Sequence, residues 1–106
     1  MILDTDILKA FLTGSGNAYE KIQFFLSKGE ELKTTVINAH ELFQEFSKKS
    51  AVVSDFLRCI TVLELDAKAA GLAKGLTRKE LVEAIVESNN ETIVSRQSYR
   101  CRTEKW

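Results

Sequence analysis

Short apolar runs, each closed by a polar stop, set the rhythm of this chain. Ile2-Leu3 is met at once by Asp4-Thr5-Asp6, and positions 7, 8, 11 and 12 then repeat at helical spacing until Thr13-Gly14-Ser15-Gly16 ends the run. Thr5 or Asp6 is the expected N-cap of that helix. Ala18, Tyr19, Ile22, Phe25 and Leu26 form one stripe of a second amphipathic helix, which Gly29 stops. Leu32-Lys33-Thr34-Thr35 reads as a Thr-rich strand, after which Ala39, Leu42, Phe43 and Phe46 predict a helix to about Lys48. Glu41 falls at the margin of its apolar stripe and can face a cleft. A short helix is expected over 51–57. A strand rich in β-branched residues follows over 60–65, and Asp66 should cap a small-residue helix over 67–73. Thr77 and Glu80 have the spacing of a capping box and open a helix with Leu81, Ala84 and Ile85 inward. After Asn89-Asn90, residues 92–95 form the last expected strand. Strands alternating with helices predict an α/β fold, with a mostly parallel sheet covered on both faces.

The composition narrows the functional classes. The 106 residues suit one domain spanning 1–106, with a core that needs no disulfide or zinc staple. Fifteen basic and fifteen acidic residues cancel, so a polyanion has no overall positive field to follow and must be met locally. The two cysteines, Cys59 and Cys101, lack a CxxC partner and are expected as free thiols. The lone His40 has no nearby nucleophile and makes no triad. No apolar run approaches the roughly 20 residues of a membrane span, and Met1 is followed by a strand-like run rather than a secretory signal. A cytoplasmic protein without membrane contact is expected.

The candidate chemistry lies in two acids that each follow a strand. Open α/β folds place ligands at the carboxyl ends of their strands. If the first two strands are parallel neighbours, Asp4 and Glu41 converge there and supply half of a magnesium site.

These residues resemble the motifs of PIN-domain ribonucleases. Ile2-Leu3-Asp4-Thr5-Asp6 looks like the first motif, and Thr34 to Leu42, with Glu41 as its acid, looks like the second. Val62-Leu63-Glu64-Leu65-Asp66 and the Ala-rich segment after it resemble the third strand and its helix, and Ile93-Val94-Ser95-Arg96-Gln97 resembles the last strand and turn. The resemblance covers nearly the whole chain, and the toxins of prokaryotic toxin–antitoxin pairs, the VapC type, are the nearest subgroup. It implies a three-layer α/β/α PIN-like fold with a short, mostly parallel sheet. It also implies Mg2+ or Mn2+ held by Asp4 and Glu41, which would be catalytic, with Asp6 supporting or joining them. An RNA substrate, a cognate antitoxin and a homodimer are the implied partners, with Phe24, Tyr99 and Trp106 as candidate interface aromatics.

Two departures from the pattern bear on activity. Lys79 stands where the family has its third acid, leaving Glu80 or Glu83 as possible substitutes, and Arg100 stands near the fourth position. One expectation is therefore a magnesium-dependent endoribonuclease of toxin type, with Arg96, Arg100 and Arg102 contacting RNA. The other is a degenerate, catalytically inactive PIN-like domain for binding or dimerisation, in which Lys79 or Arg100 enters the cleft as an internal counter-ion.

Overall fold

The structure, a computed structural model, describes residues 1–65 and 77–105. Its centre is a five-stranded parallel sheet: β1 (Ile2–Leu3), β2 (Lys33–Thr35), β3 (Thr61–Leu63), β4 (Ile93–Ser95) and β5 (Thr103–Lys105). The spatial order is β3-β2-β1-β4-β5, so the first strand is the central one and the sheet grows outward from it in both directions. Ile2 is in register with both Lys33 and Ile93, and Val94 with Glu104.

The pleat separates two cores. Leu3 and Val94 point to one face, where Ile7 and Leu8 of α1 (Thr5–Thr13), Ile22 and Phe25 of α2 (Ala18–Ser27), Leu42 of α3 (Val36–Glu45) and Val53 of α4 (Ser50–Leu57) bury them. Ile2 and Ile93 point to the other, against Val82 and Val86 of α5 (Arg78–Ser88) and Cys101. The result is the expected three-layer α/β/α arrangement. Buried on both sides, strands as short as Ile-Leu and Ile-Val-Ser read as apolar runs rather than alternations.

Several local expectations shift. Helix α1 starts at Thr5, with Asp4 rather than Thr5 or Asp6 at the N-cap position, and the Asp4 side chain makes no capping bond. Gly14 closes α1 in the left-handed conformation, φ 70°. Helix α3 ends at Glu45, short of Lys48, and a 3-10 turn over Ser47–Lys49 leads into α4. Beyond the last expected strand the chain contributes β5, an edge strand whose Thr-Glu-Lys sequence carries no apolar signal. The Asp66 cap, the helix over 67–73 and Trp106 lie outside the described residues. Cys59 is exposed and Cys101 buried, both as free thiols. Among the described residues, no helix is long and apolar enough to cross a membrane.

Candidate functional site

At the carboxyl end of β1 the chain turns directly into α1, and this delivers Asp4 beneath the cleft rather than onto its surface. Asp4 is 0% exposed. A carboxylate so buried needs hydrogen-bond partners for its oxygens, and this one has four, one of them a guanidinium. Its Oδ1 accepts from Asn38 Nδ2 at 2.7 Å and Arg78 Nη2 at 3.2 Å, and its Oδ2 from Ser95 Oγ at 2.7 Å and the Tyr99 hydroxyl at 3.0 Å. The four donors come from α3, α5, the end of β4 and the segment after it. One acid thus ties the central strand to most elements around it.

Asn38 holds its place through the helix cap of α3. Thr35 Oγ1 accepts from the Asn38 backbone N–H at 3.2 Å and donates to Asn38 Oδ1 at 2.6 Å. With its oxygen so engaged, the amide turns its nitrogen to Asp4 and to Thr5 Oγ1, the latter at 2.9 Å. Thr5 in turn donates to Glu41 Oε1 at 2.8 Å, so the two candidate acids are joined by side chains on both sides.

Arg78 is the residue that closes the cleft. Its Nε lies 3.0 Å from each Glu41 oxygen, its Nη2 donates to Glu41 Oε1 at 2.7 Å, and the same Nη2 reaches Asp4 Oδ1. Nη1 donates to the Tyr99 hydroxyl at 2.7 Å. Partial burial works against its charge, yet the bonds to Glu41 and Tyr99 and the field of Asp4 outweigh that and hold the guanidinium above its ordinary pKa. Burial and the Asp4 charge push the Tyr99 phenol well above its ordinary value, with Arg78 pulling less strongly the other way. Tyr99 therefore stays a donor to Asp4 across the physiological range. Above this cluster lies a cavity of about 410 Å³, lined in part by Asp6, Glu41, Arg78, Lys79 and Gln97.

The structure brings Asp4 and Glu41 together, close enough for one guanidinium nitrogen to touch both. Asp6 lies at the rim of the same cleft. Its Oδ2 accepts from the Arg96 backbone N–H at 2.9 Å and from Ser95 Oγ at 3.4 Å, while its Oδ1 is buried without a hydrogen-bond partner. Glu80 and Glu83 do not join them. Glu80 accepts from the Thr77 hydroxyl in the capping box, and Glu83 Oε2 accepts the Arg100 backbone N–H, both on the side of α5 turned to a separate pocket. Arg100 lines that second pocket and so is not a counter-ion in the cleft. Lys79 lines the cleft, with its amine 5.6 Å from the centre of the Tyr99 ring, but the cation between the acids is its neighbour Arg78. Arg96 and Arg102 are exposed.

A magnesium or manganese ion needs several oxygens converging on one point at about 2 Å. Among the described residues no group of three acids, histidines or cysteines offers that. The oxygens of Asp4 are consumed by four donors, and the space between Asp4 and Glu41 is filled by a guanidinium. As arranged, these residues do not fit the ion, despite the orphaned oxygen of Asp6.

Sequence reasoning missed Asn38, Arg78, Ser95 and Tyr99. Asn38 had a readable sign, since Thr35-x-x-Asn38 is a cap followed one turn later by Glu41 on the same face. Arg78 lay one residue from the position inspected, and the first residue of a helix points back toward the preceding turn.

No protein-family model matches the sequence, and a search of curated proteins finds no match. A chain in the crystal structure of VapBC2 from Rickettsia felis bound to a DNA fragment from their promoter is similar in fold. The TM-score is 0.72 and the identity 18%, over 99% of this chain and 97% of that one. The three-layer PIN-like fold read from the sequence is thus shared with a solved protein.

Proposed function

We propose that this chain is a PIN-like partner in a toxin–antitoxin type pair, and that it acts by binding another protein rather than by cutting RNA. The single observation behind this is Arg78, whose guanidinium sits between Asp4 and Glu41 where a catalytic ion would have to sit. A metal-dependent nuclease uses its ion to activate water and to stabilise charge developing at the phosphate. Here one guanidinium already offsets part of the acids' charge, and the oxygens of Asp4 are already engaged by four donors. The fold shared with VapBC2 supports a protein partner of antitoxin type.

The rival reading, a magnesium-dependent endoribonuclease, draws on the convergence of Asp4 and Glu41 and on the unpartnered oxygen of Asp6. It requires Arg78 to leave. Incubating the protein with single-stranded RNA and Mg2+ or Mn2+, beside Asp4→Asn, separates the two. The expected result is no cleavage above the Asp4→Asn background. Robust cleavage that vanishes in Asp4→Asn would overturn the proposal and establish a nuclease.

A further inference from the structure

The geometry points to a guanidinium-binding site, built from Asp4, Thr5, Glu41 and Tyr99, which the chain fills from within using Arg78. The match is one of shape as well as charge. Guanidinium is planar and presents its donors as a fixed fork. Glu41 takes one edge of that fork, accepting from Nε and Nη2 as a bidentate carboxylate does. Nη2 has a second hydrogen for Asp4 Oδ1, with Thr5 Oγ1 at 3.4 Å nearby, and Nη1 meets the Tyr99 hydroxyl. Three nitrogens therefore find separate acceptors in different directions. A compact ammonium could satisfy only some of them, and a small divalent ion would need the same oxygens drawn to one centre.

The acceptors are themselves fixed from behind. Asn38 and Ser95, both fully buried, bond to Asp4, and Thr5 is held between Asn38 and Glu41. The cavity is thus preorganised, and Arg78 adds its side chain to acceptors already in place. This deepens the closed-cleft reading given above by naming what the cleft is shaped to hold.

Thermal melts of the wild type, Arg78→Ala and Arg78→Lys test it, each with low-millimolar methylguanidinium, with Mn2+ and with neither. Arg78→Ala is expected to melt lower by about 10 °C or more. Arg78→Lys, which keeps the charge and loses the fork, should recover less than half of that. Methylguanidinium should raise the Arg78→Ala midpoint relative to the wild type in the same solution, and Mn2+ should not. The gain should disappear when Glu41→Gln is added. An Arg78→Lys protein as stable as the wild type would overturn the inference, because charge alone would then suffice. So would rescue by Mn2+ without rescue by methylguanidinium, or an Arg78→Ala midpoint equal to that of the wild type. If Arg78→Ala cannot be isolated folded, the Arg78→Lys midpoint still decides. These melts contain no RNA and no partner, so their failure leaves the cleavage assay standing, and RNA cleavage by the wild type leaves the melts standing.

Discussion

The two ends of the sheet use opposite charge arithmetic. At the carboxyl end two acids, Asp4 and Glu41, share one guanidinium, and at the amino end one acid, Glu91, is shared by two amines, with Glu30 a looser partner 3.9 Å from the Met1 amine. Glu91 accepts from Lys33 Nζ at 2.5 Å and from the Met1 amine at 2.8 Å. The settings also differ. Asp4 is sealed from water, although its neighbours Glu41 and Arg78 are 30% and 31% exposed, whereas at the amino end Glu91, Lys33 and Met1 all keep some exposure, 15%, 23% and 17%. Water screens a partly exposed pair and softens its loss, while a sealed charge that loses its partner keeps the full cost of desolvation. The carboxyl end should therefore be brittle at Asp4, and the amino end more tolerant at Glu91.

The largest expected effect is at Asp4. Asp4→Ala strands Asn38, Ser95 and Tyr99 and leaves Arg78 with one acid fewer, a loss expected at about 3–5 kcal/mol. Urea unfolding of Asp4→Ala beside Glu91→Ala measures the contrast. If Glu91→Ala costs as much, the distinction between the two ends fails.

Asn38→Ala comes next, at about 2 kcal/mol, because it removes one buried donor pair while Asp4 keeps three other partners. A loss below about 0.5 kcal/mol by the same unfolding measurement would mean that Asn38 is not a support of Asp4.

The uneven legibility of the molecule follows the same division. The layers could be read because Ile2, Leu3, Ile93 and Val94 are apolar runs buried on both faces, and the helices between them show the 3.6-residue stripe. The convergence of Asp4 and Glu41 could be read as well, since parallel strands that turn into helices carry whatever follows them to one end. Strand β5 could not, because an exposed Thr-Glu-Lys edge leaves no hydrophobic trace. Nor could the role of Arg78. Its partners lie 37 and 74 positions away along the chain, and only the docking of α5 brings them into reach. Charge on a helix terminus looks alike in sequence whether it faces water or a buried acid.

At the amino end the expected effect is smaller and depends on pH. Burial alone would raise the Glu91 pKa, but the bonds from Lys33 and the Met1 amine hold it below the ordinary 4.5. The acid therefore stabilises the fold above the usual carboxylate range, and that contribution fades as pH falls through the lowered value. Lys33 is raised above 10.5, chiefly by its bond to Glu91, so its share is complete below that pH and fades as pH rises through the raised value. Glu91→Gln should cost about 1 kcal/mol at pH 7 and close to nothing at the acid extreme. Unfolding midpoints of the two proteins that stay equally far apart at low pH would contradict it.

The smallest effect belongs to the cap that carries Arg78. Thr77 accepts from the Glu80 backbone N–H at 3.3 Å and donates to the Glu80 carboxylate at 2.9 Å, which fixes the first turn of α5 and hence the root of Arg78. Thr77 is itself exposed, so Thr77→Ala should cost about 1 kcal/mol or less, the ordinary worth of a cap. Its dependence on Arg78 matters more than its size. If the cap and the guanidinium together anchor the start of α5, removing Arg78 lets that turn fray, and the cap then has less ordered helix to stabilise. Thr77→Ala should cost less in an Arg78→Lys background than in the wild type, a coupling read from a double-mutant cycle. Strictly additive losses would show that the cap serves α5 alone. The brittleness of the carboxyl end would then rest on the buried acid and its donors, without help from the helix that delivers the arginine.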